Sequence, residues 1–577
     1  QHLSSYWHTA SNLCFKTAVL DSKAGLLIQT VKNIFSILLN KERKTLLWLT
    51  VLDILVSLLD IIFIAGLLGI ISLYTGDGHT GYKTVDDLFA RYPLLPAGLF
   101  LLLFAFKNFL GFTVSRLQYN FVFGVASRIS ADNLRGYLNG SYEDYIAVDS
   151  SVNSRKISQQ PIEFAHYILS GMQQVFSQFV LIGITVTAVI IFSPVLFLLL
   201  SLTLLPPVLL LAWLFKKKMN GMQAYGKAAS EKTMQHLQEA LAGYVESNVY
   251  GRHDFFSRRY NNFQSRLNHY LAERLVIQSL PSRLIEVFAV FGLFMMIVLQ
   301  NWMQGPQQLK LVTIGAFVAA AYKVIPGIVR IINYRNQVKT YSFVLPDLLG
   351  SKAIKKQRHS KQAIRSVAFN KVYFDYPGKN VLSNFSMQLF AGDMVGISGS
   401  SGKGKTTIAN LLLGFLEPVS GNILINEKHA GKQERQAYWN RIAYIKQQPF
   451  FVHDSLVQNI TFHETEHDSS KVFDVVEKTG MQKLVDTKPA GIHTTVKENG
   501  KNFSGGQRQR IVFARALYKD ADLLVLDEPF NELDDISEIK MLNQLRELAS
   551  EGKIIILITH NRNTLSFCNK KIILDEQ

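Results

Sequence analysis

The stretch MVGISGSSGKGKTTIANLLLGF, Met394 to Phe415, decides the fold of the C-terminal part of this 577-residue chain. Its first five residues are a short apolar run of the kind that fills a strand buried on both faces, and TTIANLLLGF reads as a helix. Between them GSSGKGKTT fits the pattern GxxxxGK[ST], a glycine loop whose backbone N–H groups cradle phosphate at the start of a helix. The pattern alone occurs by chance, but its place between strand and helix makes it specific. It assigns Gly399, Ser400, Ser401, Gly402, Lys403, Gly404, Lys405, Thr406 and Thr407 to a bound nucleotide, with Lys405 reaching the β- and γ-phosphates and the Thr406 hydroxyl on Mg2+.

Downstream, DLLVLDEP (Asp522 to Pro529) is a second buried strand that ends in two carboxylates. With a phosphate loop upstream, Asp527 is placed to hold the Mg2+ shell and Glu528 to polarise an attacking water. Between the two strands lies KNFSGGQRQRIVFAR, Lys501 to Arg515, a serine and two glycines opening a basic helix. Such a start also seeks an anion. A chain with one nucleotide loop therefore carries two phosphate-seeking helix starts.

In this order the motifs of residues 363–577 resemble the nucleotide-binding domain of ATP-binding cassette (ABC) transporters. FSGGQ resembles the family signature, with Phe503 in place of the usual leucine, and gives Ser504, Gly505, Gly506 and Gln507. Gln447 in YIKQQPF resembles the Q-loop glutamine, also a Mg2+ ligand; Asp534 in ELDD resembles the D-loop aspartate, and His560 in ITH the switch histidine. Tyr376 in FDYP resembles the aromatic residue that stacks on adenine. The resemblance implies that Glu528, His560 and Gln447 are catalytic. It also answers the duplication: in this family the signature helix of one cassette caps the γ-phosphate held by another, so one chain supplies half of two sites. A single cassette then implies a half-transporter acting as a homodimer, with ATP and Mg2+ as cofactors. A heterodimer with a second half-transporter is the alternative.

Working back from the cassette, the first 340 or so residues hold several apolar runs of about 20 residues, each able to cross a hydrocarbon core as a helix. Six spans are expected, at 46–71, 95–114, 168–192, 195–214, 285–299 with its flanks, and 312–332. The expected fold class is thus a polytopic α-helical membrane domain with six transmembrane helices, which by resemblance is type I exporter-like, fused to an α/β phosphate-loop ATPase. The domains are an extension (1–31) without signal-peptide character, a membrane domain (32–345), a linker (346–362) and the cassette (363–577). KERK before the first span and KKK (Lys216 to Lys218) after the fourth put the cassette in the cytoplasm, of a bacterial inner membrane by resemblance. The formal charge of +17 reflects that topology and anionic headgroups, and nucleic acid is not expected as a partner. Cys14 and Cys568 suggest no disulfide framework.

YEDYIAVDSSVNSRKISQQ (142–160) and EALAGYVESNVYGRHDFF (239–256) resemble the loops whose short helices rest on the cassettes, and Glu498 the loop that senses them. Ionisable side chains within spans are costly and line water-filled paths, which singles out Lys107, Lys323 and Arg330 as candidates for an anionic cargo. AYKVIPGIVRII and FAFKNF also resemble bacterial flippases of lipid-linked oligosaccharides, so an anionic glycolipid is the favoured cargo and membrane lipid a partner. A peptide or bacteriocin exporter, or a multidrug or other lipid exporter, is the alternative.

Overall fold

The computed structural model describes residues 29–74, 91–192, 222–302, 311–349 and 359–576 except 463 and 465, with isolated positions between 194 and 210. The chain divides into two compact units, residues 1–139 with 148–354, and 140–147 with 355–577.

The first unit is helical: α1 (Asn40–Tyr74), α2 (Leu95–Leu138), α3 (Ser150–Ile191), α4 (Met222–Ala242), α5 (His253–Trp302) and α6 (Leu311–Tyr341). Among the described residues four helices are long and apolar enough to cross a membrane, in α1, α2, α3 and α5. The expected span at 195–214 lies largely outside the described residues. That at 312–332 falls within α6 but is not one of these four, so the count of six stands as an expectation. With 44 residues α2 runs about 66 Å at 1.5 Å per residue, roughly twice a hydrocarbon core, so the helix continues beyond the expected span.

α3 contains two π-helical turns, Arg155–Gln159 and Phe164–Leu169. The buried Arg155, which opens the first, reaches Glu163 at 3.4 Å and Glu231 of α4 at 3.1 Å, so that a costly buried charge is paired. α3 and α6 pack antiparallel through glycines. A Cβ on Gly171 would lie 3.2 Å from Val338, and one on Gly327 3.1 Å from Ile182. Near the end of α6, Tyr167 and Tyr341 stack at 4.0 Å, with the Arg274 guanidinium 4.8 and 5.0 Å from their rings.

The second unit is α/β. β1 (Ser366–Tyr376), β2 (Lys379–Phe390), β4 (Ser420–Ile425) and β5 (Lys428–His429) form an antiparallel sheet in the order β2-β1-β4-β5. β3 (Met394–Ser398), β6 (Ile442–Ile445), β9 (Leu523–Asp527), β10 (Ile554–Ile558) and β11 (Lys570–Ile573) form a parallel sheet in the order β11-β3-β10-β9-β6. A small pair, β7 (Asp454–Ser455) with β8 (Thr495–Val496), stands apart. Strands β9 and β10 are buried at every position, which explains their unbroken apolar runs. Helices α7 (Lys405–Leu412), α8 (Gly505–Tyr518) and α9 (Asp535–Ser550) follow the loops that matter below. Because β3, β6, β9 and β10 are parallel neighbours, the residues that follow each of them emerge at one edge, where ligands bind in open α/β sheets.

A helix from the loop between α2 and α3, Tyr142–Ala147, belongs to this second unit. Tyr142 stacks on Phe415 with centroids 4.9 Å apart, and Lys432 donates to Glu143 at 2.9 Å. That hydrogen bond holds the Glu143 carboxyl below its usual range.

Candidate functional site

The glycine loop runs from the end of β3 to α7. Gly404, the cap of α7, has φ 94°, and a Cβ there would sit 2.8 Å from Val381, so both conformation and space require glycine. The Lys405 ammonium is folded over its own loop, donating to the carbonyls of Gly399 (2.7 Å) and Ser400 (3.1 Å). Ser400 is held through its N–H and hydroxyl by Asp575, at 2.8 and 2.7 Å. Those bonds keep the Asp575 carboxyl below the usual range. Ser401 and Lys403 are exposed, and Thr407 is buried.

The end of β9 faces the loop. The Thr406 hydroxyl donates to Asp527 at 3.0 Å. Burial pushes the Asp527 carboxyl up, and the neighbouring Glu528 adds to this, against the Thr406 bond and Lys405. Glu528 lies one residue beyond the strand. Its N–H still donates to Ile558 of β10 at 2.9 Å, while its φ of 47° turns the chain out of the strand. One carboxylate oxygen, Oε2, accepts from Gln447 Nε2 at 2.8 Å and from Asn531 Nδ2 at 2.8 Å. The other, Oε1, lies 3.4 Å from His560 Nδ1. Gln447, Asp527, Glu528 and His560, spread over more than a hundred positions, thus meet at one point beside Lys405. Tyr376, at the end of β1, is exposed and packs edge-on against Phe374.

The signature helix start is separate in its contacts. Ser504 caps α8 in a reciprocal box: its hydroxyl accepts from Gln507 N–H at 3.3 Å, and the Gln507 side chain accepts from Ser504 N–H at 3.0 Å. The Ser-x-x-Gln spacing carries that signal in the sequence. The two glycines pack on the turn after β9. A Cβ on Gly505 would lie 1.8 Å from the Glu532 carboxylate, and one on Gly506 3.0 Å from the Glu532 carbonyl. Arg508 donates to that carboxylate at 3.2 Å. Asp534 caps α9 through Ser537, whose hydroxyl and N–H hold its carboxyl below the usual range. Asn531, Glu532 and Asp575 carry no motif that marks them: Glu532 and Asp575 act on residues that only the fold brings near, and Asn531 on a carboxylate three residues before it.

Of the three basic residues placed in spans, Lys107 is buried in α2 and pairs with Asp60 of α1, 4.8 Å from the Phe104 ring. Arg330 is exposed on α6. The Lys323 side chain lies outside the described residues. The Thr406 hydroxyl and the Asp527 carboxylate, with the Gln447 amide nearby, are oxygen donors of the kind a hard divalent cation takes, so the residues present fit Mg2+.

Comparison with known proteins agrees with both halves. Residues 163–321 match the ABC transporter transmembrane region, and residues 382–531 the ABC transporter family's ATP-binding domain. Relatives described as ATP-dependent lipid A-core flippase include one from Ralstonia nicotianae, 28% identical over 59% of this chain and 59% of its own length. Those from Neisseria meningitidis serogroup B and Burkholderia orbicola are 33% identical over 36% of this chain and 34% of their own, and 27% over 65% and 65%. The chain spans less than two thirds of the length of these curated relatives. A bacterial Atm1-family ABC exporter solved with ATP bound superposes with a TM-score of 0.74 over 92% of this chain and 94% of that one, at 19% identity, a likeness of fold. The chain belongs to the ABC transporters, an integral membrane protein that carries the family's transmembrane region and ATP-binding domain on one polypeptide in the type I exporter fold.

Proposed function

We propose that this chain is a half-transporter of the bacterial inner membrane, that two copies hydrolyse ATP at two composite cytoplasmic sites, and that hydrolysis drives the export or flipping of an anionic lipid-linked saccharide. The observation that carries the ATPase reading is the convergence at one sheet edge of the Lys405 loop, the Thr406–Asp527 pair, and Glu528 between Gln447 and His560. Lys405 leaves the loop carbonyls for the β- and γ-phosphates, and Tyr376 stacks on adenine. Thr406, Asp527 and Gln447 would hold Mg2+, which when bound would neutralise phosphate charge. Glu528 accepts a hydrogen bond from water and polarises it, with His560 beside the same oxygen.

A helix start leaves four N–H groups without partners inside the helix, and in α8 the capping box takes that of Gln507. Ser504, Gly505, Gly506 and Gln507, with Asp534 of the loop packed beside them, close over the phosphate loop of a second copy, and two-fold symmetry makes both sites alike. The relatives named lipid A-core flippase favour a lipid cargo with a charged saccharide head. Asp60 already neutralises Lys107, so Lys323 and Arg330 carry more of the anion path.

Glu528→Gln tests the ATPase reading. The amide keeps shape and hydrogen bonding but is no base, so nucleotide affinity is retained and turnover falls below a tenth of the parent rate. A higher rate would show that Glu528 is not the catalytic carboxylate.

A further inference from the structure

We propose that Asn531 is a positioning residue for ATP hydrolysis: its amide, together with that of Gln447, occupies one oxygen of Glu528 and leaves the other to the water. The inference rests on the reading of Glu528 as the carboxylate that polarises that water.

The backbone of Glu528 is pinned, but it does not by itself fix the carboxylate. Its φ of 47° is the left-handed region, which costs a non-glycine residue about 1–2 kcal/mol and is kept here by the bond from its N–H to Ile558. That geometry turns the side chain out of the sheet edge. What then fixes the carboxylate is a set of side chains. A carboxylate only accepts, so both amides present N–H to it. Both bonds, 2.8 Å from Gln447 and 2.8 Å from Asn531, fall on Oε2. Oε1 has His560 Nδ1 at 3.4 Å, beyond a strong hydrogen bond, and is the oxygen with capacity for a water.

The two donors are not equivalent. Gln447 belongs to the segment after β6, about eighty positions from Glu528, and is itself a Mg2+ ligand under the proposed function. Asn531 follows Glu528 by three residues, with Pro529 between them, so its hold does not depend on where the distant segment lies. Asn531 is exposed, so its exchange leaves the core untouched.

The test is steady-state ATP hydrolysis by the full chain in lipid nanodiscs for the parent, Asn531→Ala, Asn531→Asp and Glu528→Gln, with binding of a non-hydrolysable ATP analogue and thermal unfolding measured alongside. Loss of one hydrogen bond to a charged group lowers kcat about tenfold in Asn531→Ala, with KM for ATP within about twofold of the parent. Asn531→Asp has nearly the same shape but sets a second carboxylate against Glu528, so its kcat falls at least as far as that of the alanine variant. A residue that merely shaped the turn would give the opposite order, with Asp close to parent. Parent-like kcat in Asn531→Asp, or a raised KM at unchanged kcat in either variant, overturns the assignment when Glu528→Gln is inactive. Parent-rate hydrolysis by Glu528→Gln overturns the reading of Glu528 and this inference with it.

Discussion

Arg515, at the last turn of α8, is a half-buried cation whose contacts are carbonyls and rings, and its exchange tests how the signature helix is tied to the segment after Gln447. Its guanidinium donates to Asn459 O at 2.7 Å and Phe450 O at 3.0 Å, with a weak third contact to Asn459 Oδ1 at 3.5 Å. The rings of Phe462 and Phe451 lie 4.9 and 5.8 Å away. Burial pulls the group down to about 10, a native-state penalty on the charge of about 3 kcal/mol. Removing the side chain strands two carbonyls at about 1–3 kcal/mol each and forfeits about 1 kcal/mol of cation–π attraction, while the burial penalty disappears. The balance for Arg515→Ala is a loss of about 2 kcal/mol. For a cassette of this size that lowers Tm by about 4–8 °C. Lysine keeps the cost of a buried cation and cannot span both carbonyls, so Arg515→Lys should lose as much or more. Scanning calorimetry of the full chain, following the cassette transition, reads both. A lysine variant melting with the parent would refute the claim that the planar fork, and not the charge, makes the link.

Three other outcomes follow from the site. Asp527 has a raised pKa, so its ionised form subtracts from stability as pH rises from the unfolded-state value through the folded one, and at neutral pH the penalty is present in full. Asp527→Asn should therefore melt at or above the parent in EDTA yet gain nothing from Mg2+ with ATP; a lower Tm in EDTA would contradict the burial argument. For the composite sites, subunits with Ser504→Arg mixed with subunits with Lys405→Ala should regain ATPase activity, because one site collects both defects and the other has neither, while each variant alone stays nearly inert. Full activity in a particle shown by light scattering to be a monomer would remove the shared-site reading. For the cargo, Arg330→Gln should reduce flipping of a fluorescent polyprenyl-diphosphate sugar in proteoliposomes about tenfold with basal ATPase kept; unchanged flipping would take Arg330 off the anion path.

The sequence by itself determined the two-part architecture and the chemistry of the cassette, because both rest on local patterns. Runs of about 20 apolar residues specify membrane helices through the cost of unsatisfied polar groups in lipid, and Gly399 to Thr407 specify a phosphate loop because its backbone shape needs those glycines in that order. Thr406 and Asp527 were both assigned to Mg2+ by their own motifs, whereas the meeting of Glu528 with Gln447, 81 positions away, and with His560 was foreshadowed only through family likeness. The parallel order β11-β3-β10-β9-β6 is what brings them to one edge. Tertiary structure alone decided the rest. The glycines after Ser504 make room for Glu532. Lys107 meets Asp60 across two helices, and Asn531 reaches the carboxylate three residues before it where the chain leaves β9 with Glu528 in the left-handed region. A side chain's partner is set by which strands and helices become neighbours, and loop closure lets those come from anywhere along the chain at a cost that grows only slowly with separation.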